Sequence, residues 1–177
     1  MTEKIYISVG GNIGNREENM SNTVKTIARQ MKITAISSLY ETTPWGMPGQ
    51  PNFLNAVICA DYDGEPDKLF AILQAIEDEL GRTRSRVWSS RTVDLDILLF
   101  GTRIINTLHL IIPHRHLALR DFYLVPLLEI FQDAVEPTSG IKYCEYERRM
   151  PTQIRTIIAK KEVTLWQDTI TSLLKVQ

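Results

Sequence analysis

The stretch Arg91 to Gly101, RTVDLDILLFG, limits what this chain can fold into more narrowly than any other. It alternates like a β-strand, in which successive side chains point to opposite faces of a sheet. Val93, Leu95, Ile97 and Leu99 then form one apolar face, and Asp94 and Asp96 share the other with Leu98 and Phe100. Two carboxylates about 7 Å apart on one face disfavour each other's ionisation, and burying either without compensation is costly. A divalent cation removes both difficulties. Mg²⁺ prefers oxygen ligands, takes one or two carboxylates, and completes its shell with water and phosphate oxygens. An isolated pair of this kind is more often two solvated acids; the apolar neighbours on the same face and the arginines just before it weigh against that reading here.

Charge along the chain supports the same chemistry. The net charge of -1 gives no reason to expect a polyanionic partner, yet the seven arginines between Arg82 and Arg120 face only Asp94 and Asp96, a local balance of +5. His109, His114 and His116 fall in the same stretch. A basic island around an acidic pair suits a compact phosphorylated ligand bound together with a metal ion. Guanidinium groups hold phosphate oxygens in pairs and stay charged, so Arg82, Arg84 and Arg91 suit a triphosphate clamp, and Trp88 suits a cover over a base or a closing loop. His114 and Arg120 in PHRHLALRDF suit polar contacts to a phosphate or ribose. Zinc is disfavoured, because no cysteine lies near the histidines and their spacing matches no common finger.

The order of elements gives the fold class. Lys4 to Val9 reads as a strand, GGNIGN as a turn, Arg16 to Met31 as a helix, and Ile33 to Tyr40 as a second strand. Thr42 to Asn52, with three prolines and two glycines, reads as a loop. Phe53 to Asp61 is a third strand with Phe53, Asn55 and Val57 on one face, where an aromatic ring beside an amide can stack on and hydrogen-bond a flat heterocycle. Trp45 in the adjoining loop can wall such a pocket. Pro66 suits a first helical turn, and Leu69, Ile72, Leu73, Ile76 and Leu80 have helical spacing, with Phe70, Gln74 and Glu77 on a second face. Strand, helix, strand, strand, helix, strand is the split βαβ order of an α+β, ferredoxin-like two-layer sandwich with a mainly antiparallel sheet. Short strands are expected over 103 to 112, and helices over Asp121 to Ile130 and Thr164 to Leu174. One domain over 1–177 is expected, with about 143–177 a C-terminal extension of open placement.

At 44% hydrophobic and 23% charged residues, the composition is that of an ordinary soluble globular protein. With no apolar run of membrane-spanning length and no signal-peptide pattern before the first strand, a cytoplasmic protein without a membrane partner is expected. Cys59 and Cys144 are too few for a disulfide framework. Oligomeric state is not legible, and a monomer is the simpler expectation.

SSLYETTPWG, QPNFLNAV, IEDELGRTR, RTVDLDILLFG, INT, PH and RDFYLVPL, in this order and spacing, resemble the 6-hydroxymethyl-7,8-dihydropterin pyrophosphokinase family of folate biosynthesis. The resemblance implies transfer of an intact pyrophosphoryl group from ATP to the pterin's hydroxymethyl oxygen, leaving AMP. It implies that Asp94 and Asp96 hold two Mg²⁺ ions. A pterin would stack between Phe53 and Phe122, with Asn55, Thr42, Pro44 and Trp45 around its edge. Gln74, Glu77, Arg84, Trp88, His114 and Arg120 match nucleotide-site positions, and Arg82 and Arg91 match residues that gather phosphates during transfer. Two other classes compete. An RNA-binding sandwich lacks its aromatic RNP1 signature here, and paired acids repel phosphates, so no nucleic-acid partner is expected. A metal-dependent phosphodiesterase would need no pterin acceptor.

Overall fold

The computed structural model describes residues 1–46, 49–81 and 91–175. Its sheet is built from β1 (Glu3–Gly11), β2 (Lys32–Ile36), β3 (Leu39–Thr42), β4 (Phe53–Tyr62), β5 (Asp94–Phe100) and β8 (Ile157–Lys161), in the order β5-β1-β4-β3-β8 with β2 also paired to β4. Every pairing is antiparallel. A small hairpin joins β6 (Ile105–Asn106) to β7 (Ile111–Ile112). The helices are α1 (Arg16–Ala28), α2 (Pro66–Glu79), α3 (Asp121–Ile130), α4 (Tyr143–Arg149) and α5 (Thr164–Leu174). The antiparallel α+β sandwich is therefore the one the element order implies. No helix among the described residues is long and apolar enough to cross a membrane.

Alternation along the central strands decides what each face does. Ile5, Ile7 and Val9 of β1 and Leu54, Ala56, Ile58 and Ala60 of β4 point to one side, where they pack with Met20, Val24 and Ile27 of α1, Leu69, Leu73 and Ile76 of α2, and Trp166 of α5. Tyr6, Val57 and Cys59 point to the other side and meet Tyr123, Leu124 and Leu127 of α3 and Tyr143 of α4. The second face is thus covered along part of its area, an addition to the expected single helical layer. The rest of it carries the site.

Two irregularities depart from simple alternation. Tyr6 pairs with Leu99 but Ile7 with Ile97, so Leu98 is an extra residue in β5. Such a bulge turns the following side chains over. Leu98 and Leu99 both join the cluster under α3, and Phe100 joins the opposite one. The expected faces of Leu99 and Phe100 are therefore exchanged, while Asp94 and Asp96 keep theirs.

The expected strand Ile33 to Tyr40 is two strands, because Ser37 breaks the ladder. Its N–H donates to the Val57 carbonyl at 2.9 Å, but its hydroxyl replaces its own carbonyl as acceptor for the Val57 N–H, also at 2.9 Å. The released Ser37 carbonyl accepts the indole N–H of Trp166 at 3.0 Å. Trp166 is fully buried, so this break anchors α5, and β8 pairs with β3 at the sheet edge. The C-terminal stretch is thereby built into the sheet and its packed face.

Candidate active site

One open pocket on the second face is lined by Ser8 and Gly10 of β1, Thr42, Thr43, Trp45 and Gln50 at and after the end of β3, Phe53 and Asn55 of β4, Arg91, Asp94 and Asp96 of the β5 segment, and Arg120, Phe122 and Tyr123 around the start of α3. Gly10 lies opposite Asn55, and a Cβ there would stand 2.7 Å from the Asn55 side-chain oxygen. Glycine is what lets the amide lie over β1. The Asn55 amide nitrogen donates to the Thr42 hydroxyl at 2.9 Å, and both residues are buried.

The two acids have different partners. Asp94 Oδ2 pairs with Arg91 Nη1 at 2.7 Å. Asp96 Oδ2 accepts the Tyr123 hydroxyl at 2.6 Å, while Oδ1 lies 3.9 Å from Nε2 of His114. Burial raises the Tyr123 phenol well above its usual range, and the Asp96 charge adds to that, so it stays a proton donor. His114 is pushed down to about 4, by burial first and then by Arg120, His116 and Arg115. Its Nδ1 accepts the His116 N–H at 3.2 Å, so the neutral ring carries its proton on Nε2, facing Asp96. The bulge in β5 supports this placement, because the His114 N–H donates to the Leu98 carbonyl at 2.9 Å.

Across the pocket, the Arg120 guanidinium carbon lies 5.8, 5.5 and 5.4 Å from the ring centroids of Trp45, Phe122 and Tyr123. Such faces attract a cation and hold it in position. Its Nη1 donates to the Tyr123 hydroxyl at 3.1 Å, and its Nε is buried without a hydrogen-bond partner among the described residues. A bound anion would satisfy that donor. The donor set also suits Mg²⁺. Among the described residues no three His, Cys, Asp or Glu side chains are grouped to hold a metal, so two carboxylates would leave the remaining positions to water and phosphate oxygens, as that ion prefers.

The fold brings Thr42, Trp45, Phe53, Asn55, Arg91, Asp94, Asp96, Arg120 and Phe122 of the expected set into the pocket wall. His114 stands behind Asp96. Pro44 and Gln74 are half-buried outside that lining, and Glu77, also buried, accepts the Leu95 N–H at 2.7 Å. Arg82, Arg84 and Trp88 lie outside the described residues. His109 is directed elsewhere, to Asp67 at 3.2 Å.

Sequence reasoning missed Tyr123 and Asn12. Asn12 and Arg91 exchange two bonds, the Asn12 N–H donating to the Arg91 carbonyl at 3.0 Å and the Arg91 N–H to Asn12 Oδ1 at 2.9 Å. The Asn12 amide also donates to Gln50 Oε1 and the Pro51 carbonyl, at 3.3 and 3.1 Å. It thus ties Arg91 to β1 and to the loop on the far side. Within GGNIGN it read only as a turn residue.

Acidic, guanidinium and aromatic groups meeting on one half-covered sheet face define this protein as an α+β domain with a small-molecule pocket. The particular family follows from sequence: residues 6–132 match the 7,8-dihydro-6-hydroxymethylpterin-pyrophosphokinase family, and the chain belongs to it. It is 41% identical over 138 residues to the 2-amino-4-hydroxy-6-hydroxymethyldihydropteridine pyrophosphokinase of Haemophilus influenzae, covering 77% of this chain and 86% of that one. The enzyme of that name in Bacillus subtilis is 42% identical over 134 residues, covering 75% of this chain and 80% of the relative. The folic acid synthesis protein fol1 of Pneumocystis carinii is 39% identical over 145 residues, and this chain spans 20% of its length. A Plasmodium falciparum HPPK-DHPS crystal structure shares the fold, with a TM-score of 0.66 at 13% identity, over 84% of this chain and 42% of that one.

Proposed function

We propose that this protein transfers the terminal pyrophosphoryl group of ATP to the hydroxymethyl oxygen of 6-hydroxymethyl-7,8-dihydropterin, releasing the pterin diphosphate, AMP and a proton. The observation that carries the reading is the single pocket in which Asp94, Asp96, Arg91 and Arg120 face Phe53, Asn55, Thr42 and Phe122. A pterin is a flat ring with a polar edge, suited to the aromatic walls and to the Asn55 amide. The acids stand where its side-chain oxygen and a triphosphate would meet.

Asp94 and Asp96 would hold Mg²⁺, two ions by analogy with the family. When bound, Mg²⁺ neutralises phosphate charge and lowers the pKa of a coordinated hydroxyl. The remaining work falls to the chain. Arg91, its backbone held by Asn12 and its guanidinium by Asp94, and Arg120, held among three aromatic rings, receive phosphate oxygens and stabilise charge as it moves from the acceptor to the leaving AMP. Nucleotide contacts from Gln74, Glu77, Arg84, Trp88 and His114, a role for Arg82 in transfer, and a pterin-edge contact at Pro44 belong to the same proposal. Holding both substrates in one small pocket converts their encounter into an intramolecular step.

Incubation with ATP, Mg²⁺ and 6-hydroxymethyl-7,8-dihydropterin tests the reading. AMP and pterin diphosphate in equal amounts, formed only with the acceptor, are expected. Nucleotide hydrolysis that ignores the acceptor would identify a phosphodiesterase instead.

A further inference from the structure

Tyr123 is nearly fully buried, with its ring edge-on to His114 and Phe122 at centroid distances of 5.0 and 4.6 Å. Its hydroxyl reaches Asp96. Arg120 Nη1 is a donor only, so at 3.1 Å it must give its proton to the phenol oxygen. The phenol has a single proton, and it goes to Asp96 Oδ2 at 2.6 Å. A guanidinium and a carboxylate therefore share one neutral oxygen instead of each other. Without that oxygen, which lies 3.1 Å from one group and 2.6 Å from the other, the two are close enough to seek a direct ion pair, which would turn the Asp96 carboxylate and compete with a cation and an anion for the two groups.

We propose that Tyr123 is a positioning residue for the metal site: its hydroxyl fixes the Asp96 carboxylate with Oδ1 left for a cation, and separates Asp96 from Arg120 so that the arginine stays available to an anion. The proposal rests on the pyrophosphokinase reading of the pocket. Groups that hydrogen-bond metal ligands in this way typically change metal affinity by about 10-fold to 100-fold when removed.

The test is Tyr123→Phe, which keeps the ring and deletes the hydroxyl. Mn²⁺ serves as a spectroscopic probe, titrated by electron paramagnetic resonance into enzyme saturated with a non-cleavable α,β-methylene analogue of ATP. The expected result is Mn²⁺ binding about 10-fold to 100-fold weaker, with pterin affinity by fluorescence and the thermal transition close to wild type. Tyr123→Met, which fills similar space without a hydroxyl, is the second variant should the first fail to fold, and it should show the same loss. Wild-type-like Mn²⁺ affinity in a folded variant overturns the proposal and leaves the function untouched. Failure of the wild-type enzyme itself to bind Mn²⁺ beside the nucleotide overturns the metal reading, and this proposal with it.

Discussion

Asp121→Asn removes one charge from a site with no room to adapt. The Asp121 carboxylate is 1% exposed and bridges the start of α3 to the segment entering β8. Its Oδ2 accepts the N–H groups of Thr156 at 2.6 Å and Ile157 at 2.8 Å. Oδ1 accepts the Thr156 hydroxyl at 2.6 Å and the Phe122 N–H at 2.9 Å. An amide NH₂ on the Oδ2 side would meet two N–H donors, so it takes the Oδ1 side, where the Thr156 hydroxyl can turn and accept but the Phe122 N–H cannot. One bond is then lost outright, and the Thr156 and Ile157 N–H groups exchange a charged acceptor for a weaker neutral one. Bonds to a charged acceptor contribute about 1.5–3 kcal/mol each. A loss of about 3–5 kcal/mol follows, against the roughly 5–15 kcal/mol that stabilises a typical domain. With a urea slope of about 1–3 kcal/mol per molar, the unfolding midpoint should fall by about 2 M. Tryptophan fluorescence can follow this, since Trp166 is buried against Ser37. Thr156→Val deletes one donor and leaves the other three bonds to Asp121 in place, so it should cost less, about 1.5–3 kcal/mol. The Thr156 carbonyl also accepts the Thr43 N–H at 2.9 Å, so both walls of the pocket hang on this clamp, and pterin affinity should fall with stability. An Asp121→Asn protein within about 1 kcal/mol of wild type would refute the assumption that a fully donor-saturated carboxylate cannot be replaced by its amide.

Asp96→Ala should lower AMP release at least about 100-fold, since a lost metal contact is worth several kcal/mol of barrier. Trp166→Ala should cost about 3–5 kcal/mol in chemical denaturation, because it empties a fully buried site and strands the Ser37 carbonyl. Glu129 should make stability acid-sensitive. Burial pushes its carboxyl up, but bonds from Ser38, Lys160 and Tyr40 outweigh that and hold it below the usual range. A lowered native pKa stabilises above the unfolded value and loses that contribution as pH falls through the folded one. The stability of Glu129→Gln, measured by urea denaturation, should therefore fall less steeply below about pH 4.5 than that of wild type, and parallel slopes would contradict the assignment.

What the sequence disclosed follows from which interactions are local. Asp94, Asp96, Phe53 and Asn55 were legible because strand alternation alone puts each pair on one face. α3 and α5 were legible from spacing and a compatible run of residues. The bulge at Leu98 was not, since it lies inside the apolar run ILLF and is a property of pairing with β1. β8 was hidden for a related reason. IIAKK at a sheet edge is only partly buried, and its weak pattern acquires meaning from the ladder with β3. Tyr123 had no reading of its own within RDFYLVPL; what identifies its hydroxyl is the docking of α3 over Asp96. Its one local signal was the three-residue spacing from Arg120, which puts two polar tips on one side of the helix start.

These omissions share a physical origin that bears on how the site works. Asn12 and Tyr123 each fix a pocket-lining residue distant in sequence, and Asp121 fixes Phe122 while clamping the segment before β8. The packed face under α1, α2 and α5 is apolar and tolerates volume-conserving exchange. The open face cannot, because its charged groups are only partly covered and must be held by directional bonds instead of by packing. Geometry at Arg91 depends on an amide from the β1 turn, geometry at Asp96 on a phenol from α3, and the entry to α3 on a threonine just before β8. The stretch beyond residue 132, outside the family match, is therefore part of what holds the pocket: cutting the chain before Thr156 would release the Asp121 clamp and the Thr43 bond together.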